Sequence, residues 1–174
     1  MFRRIIFIFV FIVSIYNVGE AQIATYNHAD REENKNMVVG KTTLYELSQN
    51  TEFWNEYLSH YASFSTDKEK LDEIYSILNN DTICIVAVIG TWCDDTKEQF
   101  PIFQKIFDHL KLDHINIEYI GVNRDKLAGE TDISSLGIIL VPTFIFYYDD
   151  RERGRIVEMP EETMEEHILK IISN

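Results

Sequence analysis

Apolar positions recur along the chain in two rhythms, and each predicts a different kind of element. Phe53, Trp54, Tyr57, Leu58 and Tyr61 fall at three-and-four spacing, as do Leu71, Ile74, Tyr75 and Leu78. That spacing predicts two amphipathic helices, over Thr51 to Tyr61 and Asp67 to Leu78, each burying an apolar stripe. From Ile83 to Ile89 the apolar run is continuous, rich in β-branched side chains and ended by Gly90. Such a run predicts a central strand covered on both faces. Phe100, Phe103, Ile106, Phe107 and Leu110 then return to the helical rhythm, with Pro101 inside it.

Further along, Ile115 to Val122 reads as a second strand, and Ile133 to Leu136 as a short helical turn. Thr143 to Tyr148 and Arg153 to Glu158 read as strands around the polar turn Asp149-Asp150-Arg151-Glu152. Pro160 is suited to the first turn of a terminal helix, with Glu161 and Glu162 set against the positive end of its dipole. The order predicts an α/β fold: a central mixed sheet with one parallel crossover and a closing hairpin, flanked by helices.

The N-terminus follows a different logic. Arg3 and Arg4, an apolar run from Ile5 to Tyr16, and the small residues Gly19 and Ala21 predict a secretory signal over 1–21. That run is shorter than the roughly 20 apolar residues needed to cross a bilayer, so cleavage is expected rather than retention as an anchor. Residues 22–40 are polar and read as a flexible lead-in, 41–80 as a helical extension packed on the core, and 81–174 as the core itself. An exported protein, periplasmic or secreted, with no stable membrane span after cleavage, is the expectation.

Composition narrows the partners. The chain of 174 residues has 45% hydrophobic residues and 26% charged ones, the balance of a folded domain. Its formal net charge of -13 argues against nucleic acid, whose backbone is bound through Lys and Arg.

The candidate chemistry lies where the central strand runs into the long helix, at Thr91-Trp92-Cys93-Asp94-Asp95-Thr96. Trp92-Cys93 after the strand, Pro101 eight residues beyond Cys93, Val141-Pro142-Thr143 before a later strand, and Gly154 in the closing hairpin occur in one order. On these residues the stretch from about Thr82 to Ile172 resembles the thioredoxin family, in particular its exported bacterial members. The resemblance implies the thioredoxin fold, a cis peptide bond at Pro142, and a nucleophilic Cys93 that attacks disulfides. It also implies a contact surface formed by Trp92, Val141 and Pro142, with Val141 offering its backbone to an extended substrate.

Two departures shape the expectation. Thr96 stands where the family carries its second cysteine, giving WCxxT in place of WCxxC, and Ala87 stands where the family keeps a buried acid. Cys84 offers no substitute. It lies near the start of the strand, so six steps at about 3.3 Å each separate it from the strand's far end by roughly 20 Å, beyond the reach of a disulfide. Cys84 is read as a small buried core residue. Cys93 is read as an accessible thiol of moderate reactivity, because the helix N-terminus favours a thiolate while Asp94 and Asp95 oppose it.

The functional expectation is therefore single-cysteine thiol-disulfide exchange through Cys93, with a protein or peptide thiol or disulfide, or a low-molecular-weight thiol, as partner. Thr96 is assigned a hydrogen bond to the sulfur. The alternative is a redox-inactive binding module presenting the same groove to an envelope protein or peptide. No cofactor is called for, and the five histidines show no ligand-like pairing that would make a metal site with Cys93, Asp94 and Asp95.

Overall fold

A computed structural model describes residues 37–79 and 81–173, so the predicted signal and most of the lead-in, 1–36, lie outside the described residues. The chain runs β1 (Gly40–Thr42), α1 (Leu44–Ser48), α2 (Thr51–Ser63), α3 (Lys68–Leu78), β2 (Ile83–Ile89) and α4 (Asp94–Leu110). It continues through β3 (Asn116–Gly121), a 3-10 turn (Ser134–Leu136), β4 (Thr143–Tyr148), β5 (Arg151–Val157) and α5 (Met164–Ile172). The strands form one sheet in the order β1-β3-β2-β4-β5. β2 and β3 are parallel, joined by the α4 crossover, and every other pairing is antiparallel.

The period-two alternation of β2 divides the core. Ile83, Ile85, Ala87 and Ile89 join the large cluster beneath the helices, where Phe53, Phe100, Phe103 and Phe144 are at most 1% exposed. The Phe103 and Phe144 rings stack at 4.1 Å, fixing α4 onto β4, and Phe100 meets Phe53 and Tyr57 of α2 at 6.4 and 5.5 Å. On the other face Val88 joins Ile120, Val122, Ala128, Ile133 and Val141 in a smaller cluster. The cover there is the connection from 122 to 141, whose regular structure is the single 3-10 turn.

Several sequence expectations are corrected. The chain at Gly40, read as the end of a flexible lead-in, is an edge strand paired with β3. Gly121 permits this closeness: a Cβ there would stand 2.2 Å from the Val38 carbonyl oxygen. α1 escaped the periodicity because it has five residues, too few to show a stripe, yet it carries a full capping box between Thr43 and Glu46. Pro160 does not open the last helix. Thr163 caps it instead, with Glu166 reciprocating, so Glu165 and Glu166 rather than Glu161 and Glu162 face the dipole. The final hairpin turns on Asp149 and Asp150 alone, both with left-handed φ of 47° and 60°, so β5 begins at Arg151. Cys84, read as buried, is half-buried, because its end of the second sheet face lies outside the smaller cluster.

Candidate functional site

The site begins where β2 runs out. Gly90 accepts the Cys93 N–H at 2.8 Å, closing a turn that delivers Cys93 to the N-cap position of α4. Cys93 has extended backbone and makes no side-chain cap bond. Its Sγ instead donates to the Val141 carbonyl oxygen at 3.2 Å, joining α4 to the loop before β4. The sulfur belongs to a half-buried residue. The Val141–Pro142 peptide bond is cis, and both residues are buried. Pro142 O accepts the Glu158 N–H at 2.8 Å, and Thr143 Oγ1 donates to Leu140 O at 2.7 Å, so the loop is held on both sides of the proline.

Trp92 covers the flank of the turn. Its indole N–H donates to Val122 O at 2.9 Å, and its ring lies so close to Gly90 that a Cβ there would be 2.9 Å from the ring. Above the ring stand Arg124, with its guanidinium carbon 4.9 Å from the ring centroid, and Lys126, with its ammonium at 5.5 Å. The turn carrying both is tied by Asn123, whose Oδ1 accepts the Asp125 and Leu127 N–H groups.

Thr96 and the two aspartates fall differently from their sequence reading. Thr96 is fully buried, and its hydroxyl oxygen accepts the Gly90 N–H at 3.3 Å. It stabilises the turn that presents Cys93 rather than bonding the sulfur. Asp94 is 96% exposed at its side chain and pairs with Lys97 at 3.0 Å, while Asp95 is half-buried in the same first turn. Neither caps the helix through its side chain. Ala87 sits fully buried in the large apolar cluster, between Tyr119 and Phe144 of the adjoining strands. Pro101 is buried within α4, and Gly154 faces Ile171 of α5, whose Cγ1 would be 3.1 Å from a Cβ.

Cys84 pairs with Asn116 and Tyr147 at the end of the sheet away from Gly90. Its sulfur receives the Asn116 side-chain amide at 3.7 Å. Both cysteines are free. The structure thus brings together Trp92, Cys93, Val141 and Pro142, and leaves Cys84, Pro101 and Gly154 in structural places.

Sequence reasoning passed over the rim of this site. Arg124 and Lys126 lie in what read as a polar connection. Their only signal was their position just after a strand that ends beside Gly90. Ile139 and Leu140, 79% and 41% exposed, form an apolar lip next to Val141. The signal for these was a four-residue apolar run, Ile138-Ile139-Leu140-Val141, placed directly before Pro142 in a loop.

The sulfur is therefore held as a hydrogen-bond donor in a groove between a helix N-terminus and a buried loop. Deprotonation removes the proton that Val141 O accepts. A thiolate at Cys93 would therefore leave that carbonyl open to another hydrogen-bond donor. Among the described residues no three His, Cys, Asp or Glu side chains gather to hold a metal ion, and no helix is long and apolar enough to cross a membrane.

No family model matches the chain. A thioredoxin of Malassezia sympodialis is 23% identical over 86 residues, 49% of this chain and 78% of the relative. Among solved structures, a Pseudomonas aeruginosa protein of unknown function superposes with a TM-score of 0.51 at 14% identity, covering 72% of this chain and 84% of that one. Chlamydomonas reinhardtii thioredoxin f2 superposes with a TM-score of 0.40 at 22% identity, covering 59% and 90%. The chain thus has an α/β fold, a mixed sheet flanked by helices, and a thioredoxin-like sequence over about half of its length.

Proposed function

We propose that this protein is an exported, single-cysteine thiol-disulfide exchange protein acting through Cys93. The observation that carries the reading is the placement of the Cys93 sulfur at the N-cap of α4, 3.2 Å from the Val141 carbonyl in the cis-proline loop. A thioredoxin-like fold supports thiol chemistry at this position, and Cys93 is half-buried rather than enclosed in the core.

In the reaction, the Cys93 thiolate attacks one sulfur of a substrate disulfide. A Cys93–substrate disulfide forms, and the other substrate sulfur leaves as a thiolate that takes up a proton. With Thr96 in the second position, and Cys84 at the far end of β2, release falls to an external thiol. That thiol attacks the substrate sulfur, restores Cys93, and carries away the new disulfide, so each cycle exchanges partners without net oxidation of the protein. Val141 and Pro142 form the substrate edge, and Trp92 with its two cations forms the opposite wall.

Exposure of the purified protein to a small neutral disulfide, followed by intact mass spectrometry, tests the reading. One adduct per chain is expected, removed by reductant and absent from Cys93→Ala. The second reading, a redox-inactive binding module, draws support from Ala87 and Thr96, which replace the two groups a dithiol cycle uses. Partner capture that survives Cys93→Ala undiminished, with no adduct on the native protein, selects it.

A further inference from the structure

A second cleft lies against the helical extension, at the end of α4 opposite to Cys93. It is an open groove of about 390 Å³ between α1, α2 and the C-terminal part of α4. Trp54, Tyr57 and Tyr61 line it as a ladder: the Trp54 and Tyr57 rings are stacked at 4.3 Å and 5°, and those of Tyr57 and Tyr61 at 5.8 Å. Tyr45 and Leu58, 74% and 48% exposed, stand at its mouth. One charged side chain lines it, Asp108.

The polar groups here are organised and incomplete. Asp108 Oδ2 accepts from the Tyr61 hydroxyl and Oδ1 from Gln104 Nε2, each at 2.8 Å, and Gln104 in turn accepts from Tyr119 at 2.7 Å. Asp108 has no ion-pair partner among the described residues. The nearby cation, Lys105, stands 5.1 Å from the Tyr61 ring centroid but donates to the Tyr61 and Phe64 carbonyls. Tyr57 is 4% exposed, and its hydroxyl has no hydrogen-bond partner among the described residues. The hydroxyl is not sealed off, because among the described residues no buried side-chain oxygen lacks a partner, and Tyr57 lines the groove. Burial, and then the Asp108 carboxylate, push Tyr57 upward, which keeps the hydroxyl neutral.

An apolar wall of stacked aromatic rings beside an unpaired carboxylate and an unpartnered hydroxyl selects a cation with an apolar stem and N–H donors. Both Asp108 oxygens already accept one bond, which disfavours the two-pronged fork of a guanidinium and leaves room for a compact ammonium. The groove is too open to enclose a small molecule, whose sites bury most of the ligand surface. We propose that this groove docks a lysine side chain projecting from a partner polypeptide, with the stem along the Trp54–Tyr57–Tyr61 ladder and the ammonium between Asp108 and the Tyr57 hydroxyl. The chain's charge of -13 favours the approach of such a basic partner.

The test is an NMR titration of the full-length protein with the peptide acetyl-Ala-Lys-Ala-amide. Saturable shifts are expected at the Trp54 indole N–H and at amides of α1, α2 and Asp108. Asp108→Asn is expected to weaken binding about tenfold, and Tyr57→Phe about threefold, the loss of a charge-assisted and a neutral hydrogen bond respectively. Tyr45→Ala, at an exposed position outside the core, is expected to weaken it severalfold. The proposal is overturned if the same peptide with an acetylated lysine amine binds as well, or if its arginine counterpart binds more tightly. Equal binding of n-butylamine, which would make this a small-amine site, overturns it too, as does an absence of saturable shifts in α2. None of these outcomes depends on Cys93.

Discussion

The two faces of the sheet are built to different standards. Under the helices, four phenylalanines from α2, α4 and β4 interlock with almost no exposure, and α3 and α5 close the layer. On the opposite face a loop with one 3-10 turn covers a smaller cluster, and Cys84 and Val86 are left half-buried. The thiol site stands where the two faces meet. Cys93 starts a helix of the first face, and its sulfur is held by a loop of the second. The helical face carries the tight packing, while the loop face supplies the groove beside Cys93.

The sharpest way to break this contrast is to cut into the helical face. Phe103→Ala removes a fully buried ring stacked on Phe144 and is expected to cost about 3–5 kcal/mol in denaturant unfolding. Ile133→Ala on the loop face is expected to cost less, about 2 kcal/mol, because that cover has room to relax. Equal costs would erase the difference between the faces.

Gly121→Ala probes the edge between them. Its Cβ would stand 2.2 Å from the Val38 carbonyl oxygen, so β1 must move away. A loss of about 1–3 kcal/mol is expected, with hydrogen exchange accelerating at 38–42 ahead of the rest of the sheet. Smaller again is the cap of α5: Thr163→Ala removes the bond to the Glu166 N–H and is expected to cost about 1 kcal/mol.

The least effect is expected from the ion pair joining α3 to α5. The Lys70 hydrogen bond, followed by the bond from the Thr163 N–H, holds Glu166 below the usual carboxylate range. A lowered carboxylate contributes stability above its unfolded value, and that contribution is lost as pH falls through the folded value. The pair is exposed, so the expected signature is a slight loss of stability below the ordinary carboxylate range. An acid-unfolding curve of Glu166→Gln is expected to lack that slope.

The sequence made legible whatever one rhythm or motif controls. β2 through β5, α2 to α4 and the Trp92–Cys93–Pro142 constellation follow from periodicity and from short motifs of fixed order. β1 and α1 did not show, because three and five residues hold too little periodicity to rise above the polar segment before them. The start of α5 was misplaced because Pro160 is a strong helix-opening signal. The Thr163–Glu166 capping box, equally legible in the sequence, outcompetes it. Thr96 shows a different limit. Its spacing from Cys93 suggested a bond to the sulfur, but the tight turn at Gly90 leaves a backbone N–H that claims the hydroxyl. Arg124 and Lys126 reach the site through a fold-level contact with Trp92 that local pattern does not encode.

One sulfur, Cys93, stands beside the Val141 carbonyl, while Cys84 lies at the far end of β2, out of its reach. Peptide mapping after brief treatment of the native full-length chain with a neutral disulfide tests it most directly. A reductant-sensitive adduct is expected on Cys93, formed well before any on Cys84, with no internal disulfide. Preferential modification of Cys84, a Cys84–Cys93 bridge, or an unreactive Cys93 would contradict it.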